Sequence, residues 1–135
     1  MEGDLANPAR IPAESYVQAD MPVVSDGRPI DLVHLSRQTF GERDLESELL
    51  RLFDRQSRQI VDRLTDGPVT ESRWRADLAH TLKGSARAVG AFGVAAAAEA
   101  YELDARAGAD LAPALATVAE AVEAAHAAIG ELLAG

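Results

Sequence analysis

The sequence has no cysteine, a single lysine and only six aromatic residues among 135. Without thiols there are no disulfides, thiolate metal sites or cysteine nucleophiles, although the compartment is left open by that absence. The six aromatics stand against 27 alanines, 23 of them between Ala76 and Ala134, so the second half of the chain favours helix over sheet. Positive charge is also scarce. Thirteen basic residues face 22 acidic ones, giving a net charge of -9 and a surface poorly suited to nucleic acid. No apolar run reaches the roughly 18 to 20 residues that span a bilayer, and the start MEGDLANPAR lacks the basic residues and apolar core of a signal peptide. A soluble, cytoplasmic protein without a membrane partner is expected, and a chain of this length closes around one core.

Residues 1–29 hold four of the six prolines (Pro8, Pro12, Pro22 and Pro29) and follow no helical or strand period, so they read as a tail ahead of a domain at residues 30–135. Pro29-Ile30-Asp31 offers a helix start, and Gly41 stops the short first helix that carries Leu32 and Leu35. From Asp44 to about Leu64, the residues Leu45, Leu49, Leu52, Phe53, Ile60 and Leu64 share one side of an amphipathic helix ended by Asp66-Gly67-Pro68. Thr70 can cap a third helix predicted from about Glu71 to Val89, closed by Gly90 in the left-handed conformation. A tight turn leads to a fourth helix with Val94, Ala98, Tyr101 and Ala105 facing inward, stopped at Gly108. Asp110 caps the last helix, where Leu111, Leu115, Val118, Val122, Ala125, Ile129 and Leu132 recur at spacings of four and three. Four long amphipathic helices on short loops must pack antiparallel. The expected fold is therefore all-α, an antiparallel up-down four-helix bundle with a short additional N-terminal helix.

The third helix concentrates the chemistry. At about 100° per residue, Arg73, Ala76, Asp77, Lys83, Gly84 and Arg87 fall within roughly 60° of His80 and form one polar stripe. Trp74, Leu78, Leu82, Ser85 and Val89 lie opposite and are expected to bury, leaving His80 in solvent; Arg75 falls toward the apolar side, so either the helix begins a little later than Glu71 or the head group snorkels out. Gly84 is out of character, because glycine inside a helix costs about 1 kcal/mol against alanine and this chain uses alanine freely. An absent side chain one turn above His80 reads as room for another molecule to approach the imidazole. Lys83 at i+3 offers a compact cation for phosphoryl oxygens. Residues 71–89 carry two acidic and four basic side chains, a positive stretch in an acidic protein.

The run His80-Thr81-Leu82-Lys83-Gly84-Ser85-Ala86, followed by Gly90 and Glu102, resembles the histidine phosphotransfer (HPt) domain of bacterial phosphorelays, with the similarity extending over about residues 30–133. The resemblance implies that His80 is the phosphoacceptor, taking a phosphoryl group through Nε2 from one receiver-domain aspartate and passing it to another. It implies catalytic parts for Lys83 and Glu102, the latter accepting the Nδ1 proton and fixing the tautomer. Gly84, Arg87, Asp77 and Ala76 would meet the partner, on a patch centred on His80 with parts of the first and second helices; Ser85 and Gly90 would be structural. No cofactor is expected on this chain, since the receiver would bring Mg²⁺. The implied partners are response-regulator receiver domains and a hybrid histidine kinase, and the chain is expected to act as a monomer. It would be a phosphohistidine carrier with phosphotransfer activity but no autonomous ATP-dependent kinase activity.

Two other readings stand beside this one: a non-catalytic adaptor that holds a receiver or kinase through the same face, and, less favoured without an ATP-binding domain, the histidine-bearing piece of a chemotaxis-type kinase. The remaining histidines read as structural. His34 is expected to be exposed, and His126 to sit partly buried at the edge of the last helix's apolar seam. Glu120, Glu123 and His126 give one Glu-x-x-His pattern, but one copy on one helix is not a di-iron site.

Overall fold

The computed structural model describes residues 27–67 and 72–135; the proposed cap Thr70, Glu71 and most of the N-terminal tail lie outside the described residues. Five helices follow in order, with no strand among the described residues: α1 (Leu32–Gln38), α2 (Arg43–Asp66), α3 (Ser72–Val89), α4 (Phe92–Arg106) and α5 (Ala112–Ala134). The four long helices form a ring in which α2 packs on α3 and α5 while α4 packs on α3 and α5; the α3–α4 seam is the most extensive, and α1 leans on α3. This is the four-helix bundle with an extra helix that the apolar periods predict.

Alanine sets the closeness of the α3–α4 seam. Ala76, Ala79 and Ala86 of α3 and Ala95, Ala98 and Ala105 of α4 are buried, with Val94 and Tyr101 filling the interior beside them. Small side chains on facing stripes bring two backbones near enough for short polar side chains to bridge the seam. The inward line of α4 is the one read from sequence, whereas those of α2 and α5 differ in detail. On α2 the buried residues are Leu50, Phe53, Ser57, Ile60 and Leu64, and Leu45 and Leu52 are exposed instead. Leu52 is turned by about 100° from Phe53, too far to reach the core. On α5, Val118, Val122, Ala125 and Ile129 are buried, but Leu132 is half out, lining a groove with Leu32 and Ala128 at the end of the bundle that short α1 covers incompletely.

The helix ends account for the remaining geometry. The Asp31 carboxylate accepts from the His34 backbone N–H at 3.0 Å and starts α1. Gly90 has φ +82°, and the Ala91 N–H returns to the Ala86 carbonyl at 2.8 Å, closing α3 in a Schellman turn. The Gly90 carbonyl then accepts from the Asp31 N–H at 2.9 Å, and a Cβ at Gly90 would lie 2.8 Å from the Asp31 carbonyl oxygen. Glycine is thus required both by backbone conformation and by the close seat of α1. Asp110 acts one residue earlier than a cap: the N-cap position of α5 is Leu111, and the Asp110 side chain accepts from the Ala112 N–H at 3.3 Å.

Arg75 departs most from expectation. Its side chain does not snorkel out but is buried, donating to the Leu64 carbonyl at 2.6 Å and the Gly67 carbonyl at 2.7 Å, with the Tyr101 hydroxyl at 3.4 Å. A guanidinium at the C-terminal end of α2 satisfies carbonyls that no helical N–H can reach and meets the negative end of the helix dipole. Trp74 packs over Gly67 where a Cβ would collide with its ring, and Arg63 and Arg75 lie 5.6 Å from the ring centroid. Arg75→Ala should destabilise the domain by about 2–4 kcal/mol in urea unfolding, because it leaves two carbonyls without partners and opens a cavity. A loss under about 0.5 kcal/mol, the range of an ordinary surface substitution, would contradict this role.

Candidate functional site

His80 stands near the middle of α3 with 63% of its side chain exposed, as the helical wheel requires. The bundle supplies its partner from the neighbouring helix: Nδ1 lies 3.0 Å from Oε2 and 3.3 Å from Oε1 of Glu102 on α4. Lys83 approaches the same carboxylate, Nζ to Oε1 at 3.0 Å, and Arg106 donates to Oε2 from Nε at 3.2 Å and from Nη2 at 3.0 Å. One carboxylate, 10% exposed, therefore gathers an imidazole, an ammonium and a guanidinium.

Burial by itself works against a charged Glu102, but the hydrogen bonds from Lys83, Arg106 and His80 and the charge of Lys83 outweigh it. The carboxyl pKa falls from 4.5 to about 2. An ionised carboxylate only accepts hydrogen bonds, so the ring nitrogen facing it must carry the proton. In neutral His80 the lone pair is then on Nε2, which points away from Glu102 and toward solvent. Two helices thereby fix both the orientation and the tautomer of a surface imidazole.

The other residues singled out in the sequence divide. Gly84 is exposed, and a Cβ built on it would meet nothing within 4 Å, so the space above His80 is open. Asp77 and Arg87 are exposed on the same helix and pair across the seam, Asp77 with Arg106 and Arg87 with Glu99, both at 3.5 Å. Ala76 cannot touch a partner, being fully buried against α4. Lys83 is 15% exposed and held by Glu102, so it is not a free cation beside the ring. Both corrections have one cause: α4 packs along one flank of the polar stripe, covering Ala76 and Lys83 and leaving Asp77 and Gly84 outside. On the opposite side Leu82 and Val89 are buried, while Trp74, Leu78 and Ser85 are only half-buried. Gly90 ends the helix as described.

On one flank of the His80 stripe, α4 brings Glu99 and Arg106 beside Glu102, with Leu103 of the same helix 63% exposed. Helix α1 contributes nothing beside the ring, because it seats at Gly90, about 15 Å further along α3. Arg106 was missed in the sequence although it stands at i+4 from Glu102, a spacing that pairs charges on one helix. His34 is half-buried, not exposed: its ring meets Phe92 edge to face at 5.0 Å, and its Nε2 is buried without a hydrogen-bond partner. His126 is partly buried as expected, with Nδ1 2.7 Å from Oδ1 of Asp54.

The described residues form an all-helical bundle that holds an oriented, outward imidazole at His80 on a long helix. The Hpt domain family matches residues 47–128, more than half of the chain, and the chain belongs to that family. Hpt domains serve histidine phosphotransfer in two-component signalling and interact with receiver domains and kinases. No curated protein and no solved structure matches the chain. No helix among the described residues is long and apolar enough to cross a membrane.

The depressed carboxyl has a consequence for stability. Because the folded pKa of Glu102 lies below its ordinary value, its contribution is fully present above about pH 4.5 and is lost as pH falls toward 2. Glu102→Gln should therefore be less stable than wild type at neutral pH and show a shallower fall of melting temperature between pH 4.5 and 2. Parallel melting curves for the two proteins across that window would disprove the coupling.

Proposed function

We propose that the chain is a phosphohistidine carrier that relays a phosphoryl group between receiver-domain aspartates through Nε2 of His80. The observation that carries this reading is the Nδ1–Glu102 contact at 3.0 Å on a ring that is otherwise exposed and has open space at Gly84. The Nε2 lone pair forms a bond to phosphorus as the bond to the aspartyl carboxylate oxygen breaks, and the carboxylate leaves with the electron pair. The Nδ1 proton stays in place. The ring becomes a phosphorylated imidazolium, and the positive charge gained there faces the Glu102 carboxylate. Transfer onward reverses these steps.

Phosphoryl transfer has a loose transition state, so positioning and charge neutralisation supply most of the catalysis. A rigid helix and a fixed tautomer are adequate equipment on the carrier's side. The Mg²⁺ that neutralises phosphoryl oxygens belongs, in this reading, to the receiver. Lys83 acts first through Glu102, whose carboxylate it holds, and can turn to the phosphoryl oxygens only by releasing that carboxylate. Arg87 and Asp77 lie on the exposed flank of α3 where a receiver would rest, beside the gap at Gly84.

Incubation with a phosphorylated receiver should move label onto the wild-type chain as an acid-labile, alkali-stable phosphoramidate, and His80→Gln should take none. A wild type that binds the receiver without taking label would instead indicate a non-catalytic adaptor. Gly84→Leu should slow transfer from the receiver by about tenfold or more, equivalent to at least about 1.4 kcal/mol, through a clash with the partner. Its helicity and melting should remain near wild type, because the added side chain meets open space. Unimpaired transfer in this variant would refute the approach over Gly84.

A further inference from the structure

The α2–α5 seam, across the bundle from the α3–α4 seam, repeats the local arrangement found at His80. His126 of α5 places Nδ1 2.7 Å from Oδ1 of Asp54 on α2, with 36% of the imidazole and 22% of the carboxylate side chain exposed. As at His80, a carboxylate on the neighbouring helix accepts a hydrogen bond from Nδ1–H and leaves the lone pair on Nε2. That Nε2 makes no hydrogen bond among the described residues, and it is not fully buried as the His34 Nε2 is, on a side chain 36% exposed. Gly130 stands at i+4 from His126, as Gly84 does from His80, and a Cβ built on it would also meet nothing within 4 Å. Side chains at i+4 on a helix lean back over residue i, so glycine at that position uncovers the ring in each case.

The charges differ in origin. The residue at i+3 from His126 is Ile129, which is buried, and Glu123 lies at i−3. Positive charge is available from α2 instead. Arg51 and Arg58, at i−3 and i+4 from Asp54, are both exposed and flank the carboxylate by one turn on either side. Among the described residues Arg51 makes a long exposed contact of 3.9 Å with Glu48. Guanidinium groups suit phosphoryl oxygens, whereas one imidazole and one carboxylate are too few ligands to hold a metal.

We propose that His126 is a second phosphoryl-accepting histidine, reacting through Nε2 with activated phosphoryl donors, and that Asp54 is its positioning residue. With phosphoramidate as donor, Nε2 forms the new bond to phosphorus, the donor's P–N bond breaks, and ammonia leaves with the proton that nitrogen already carries. The Nδ1 proton remains toward Asp54, whose carboxylate opposes the positive charge on the phosphorylated ring. This proposal stands apart from the role of His80, and a His80→Gln background separates the two.

The full chain carrying His80→Gln should take up one phosphoryl group from potassium phosphoramidate, assigned to Nε2 of His126 by phosphorus NMR and mass spectrometry. His80→Gln/His126→Gln should lose that phosphoryl group. Asp54→Ala in the His80→Gln background should slow labelling by about tenfold or more and divide the product between Nδ1 and Nε2. That change of ring position is one a merely structural role would not produce. An unlabelled His126 in the folded His80→Gln protein would overturn the proposal, as would unchanged rate and ring position in the Asp54→Ala variant. Wild type labelled on His126 but not on His80 would leave this site standing and count against the carrier reading of His80.

Discussion

The Glu102 carboxylate is the constraint on which the site depends. It is nearly buried, and burying an anion without partners costs several kcal/mol, so the arrangement requires donors from both helices of the seam. His80 and Lys83 reach it from α3, and Arg106 reaches it from its own helix. These contacts demand that α3 and α4 run close together, which the buried alanines on both faces permit. The composition that first reads as simple helix propensity is thus also what brings Glu102 within 3.0 Å of the imidazole. Removing either cation would leave the carboxylate undercompensated and loosen the ring it orients.

Three glycines show how one residue type serves unrelated physical ends. Gly90 must be glycine because of its positive φ and the backbone of Asp31 against it. Gly67 must be glycine because Trp74 occupies the space of its side chain. Gly84 meets neither demand: its surroundings are empty, and the fold would tolerate alanine there. A helix interior that forgoes the stabilisation of alanine without a packing reason points outward, to something that must come close.

Much of this was legible in the sequence, for identifiable reasons. The helix boundaries follow from apolar spacing and from Gly41, Gly90 and Gly108, which all take positive φ. His80, Lys83 and Gly84 were legible because they lie on one helical stripe, and Glu102 was reached through the resemblance to the HPt family, since nothing in its own helix's spacing singles it out. A helical wheel gives angles about one axis, however, and does not say on which side the neighbour packs. That is why Ala76 was assigned to the surface and Lys83 to the open side of the ring. Arg75 could not be placed, since its partners are backbone carbonyls at Leu64 and Gly67, which leave no trace in side-chain pattern. The pairing of His126 with Asp54 spans 72 residues of sequence and belongs to tertiary packing alone.

The charge of the site is also resolved by tertiary packing. Residues 71–89 are net positive when counted along the chain, which suggests an attractive field for an acidic partner. Folding sets α4 against that stretch. The groups that pair at the seam are Lys83, Arg87 and Arg106 against Asp77, Glu99 and Glu102, three cations and three anions. The bulk field they leave is weak, and at physiological ionic strength it is screened within about 8 Å. On the proposed relay reading, a receiver would be recognised by short-range shape near the Gly84 gap and by the exposed apolar surface at Leu103. Such a surface suits a carrier that has to release its partner whether or not the imidazole bears a phosphoryl group, because adding that charge perturbs a nearly neutral rim instead of reversing a strong attraction.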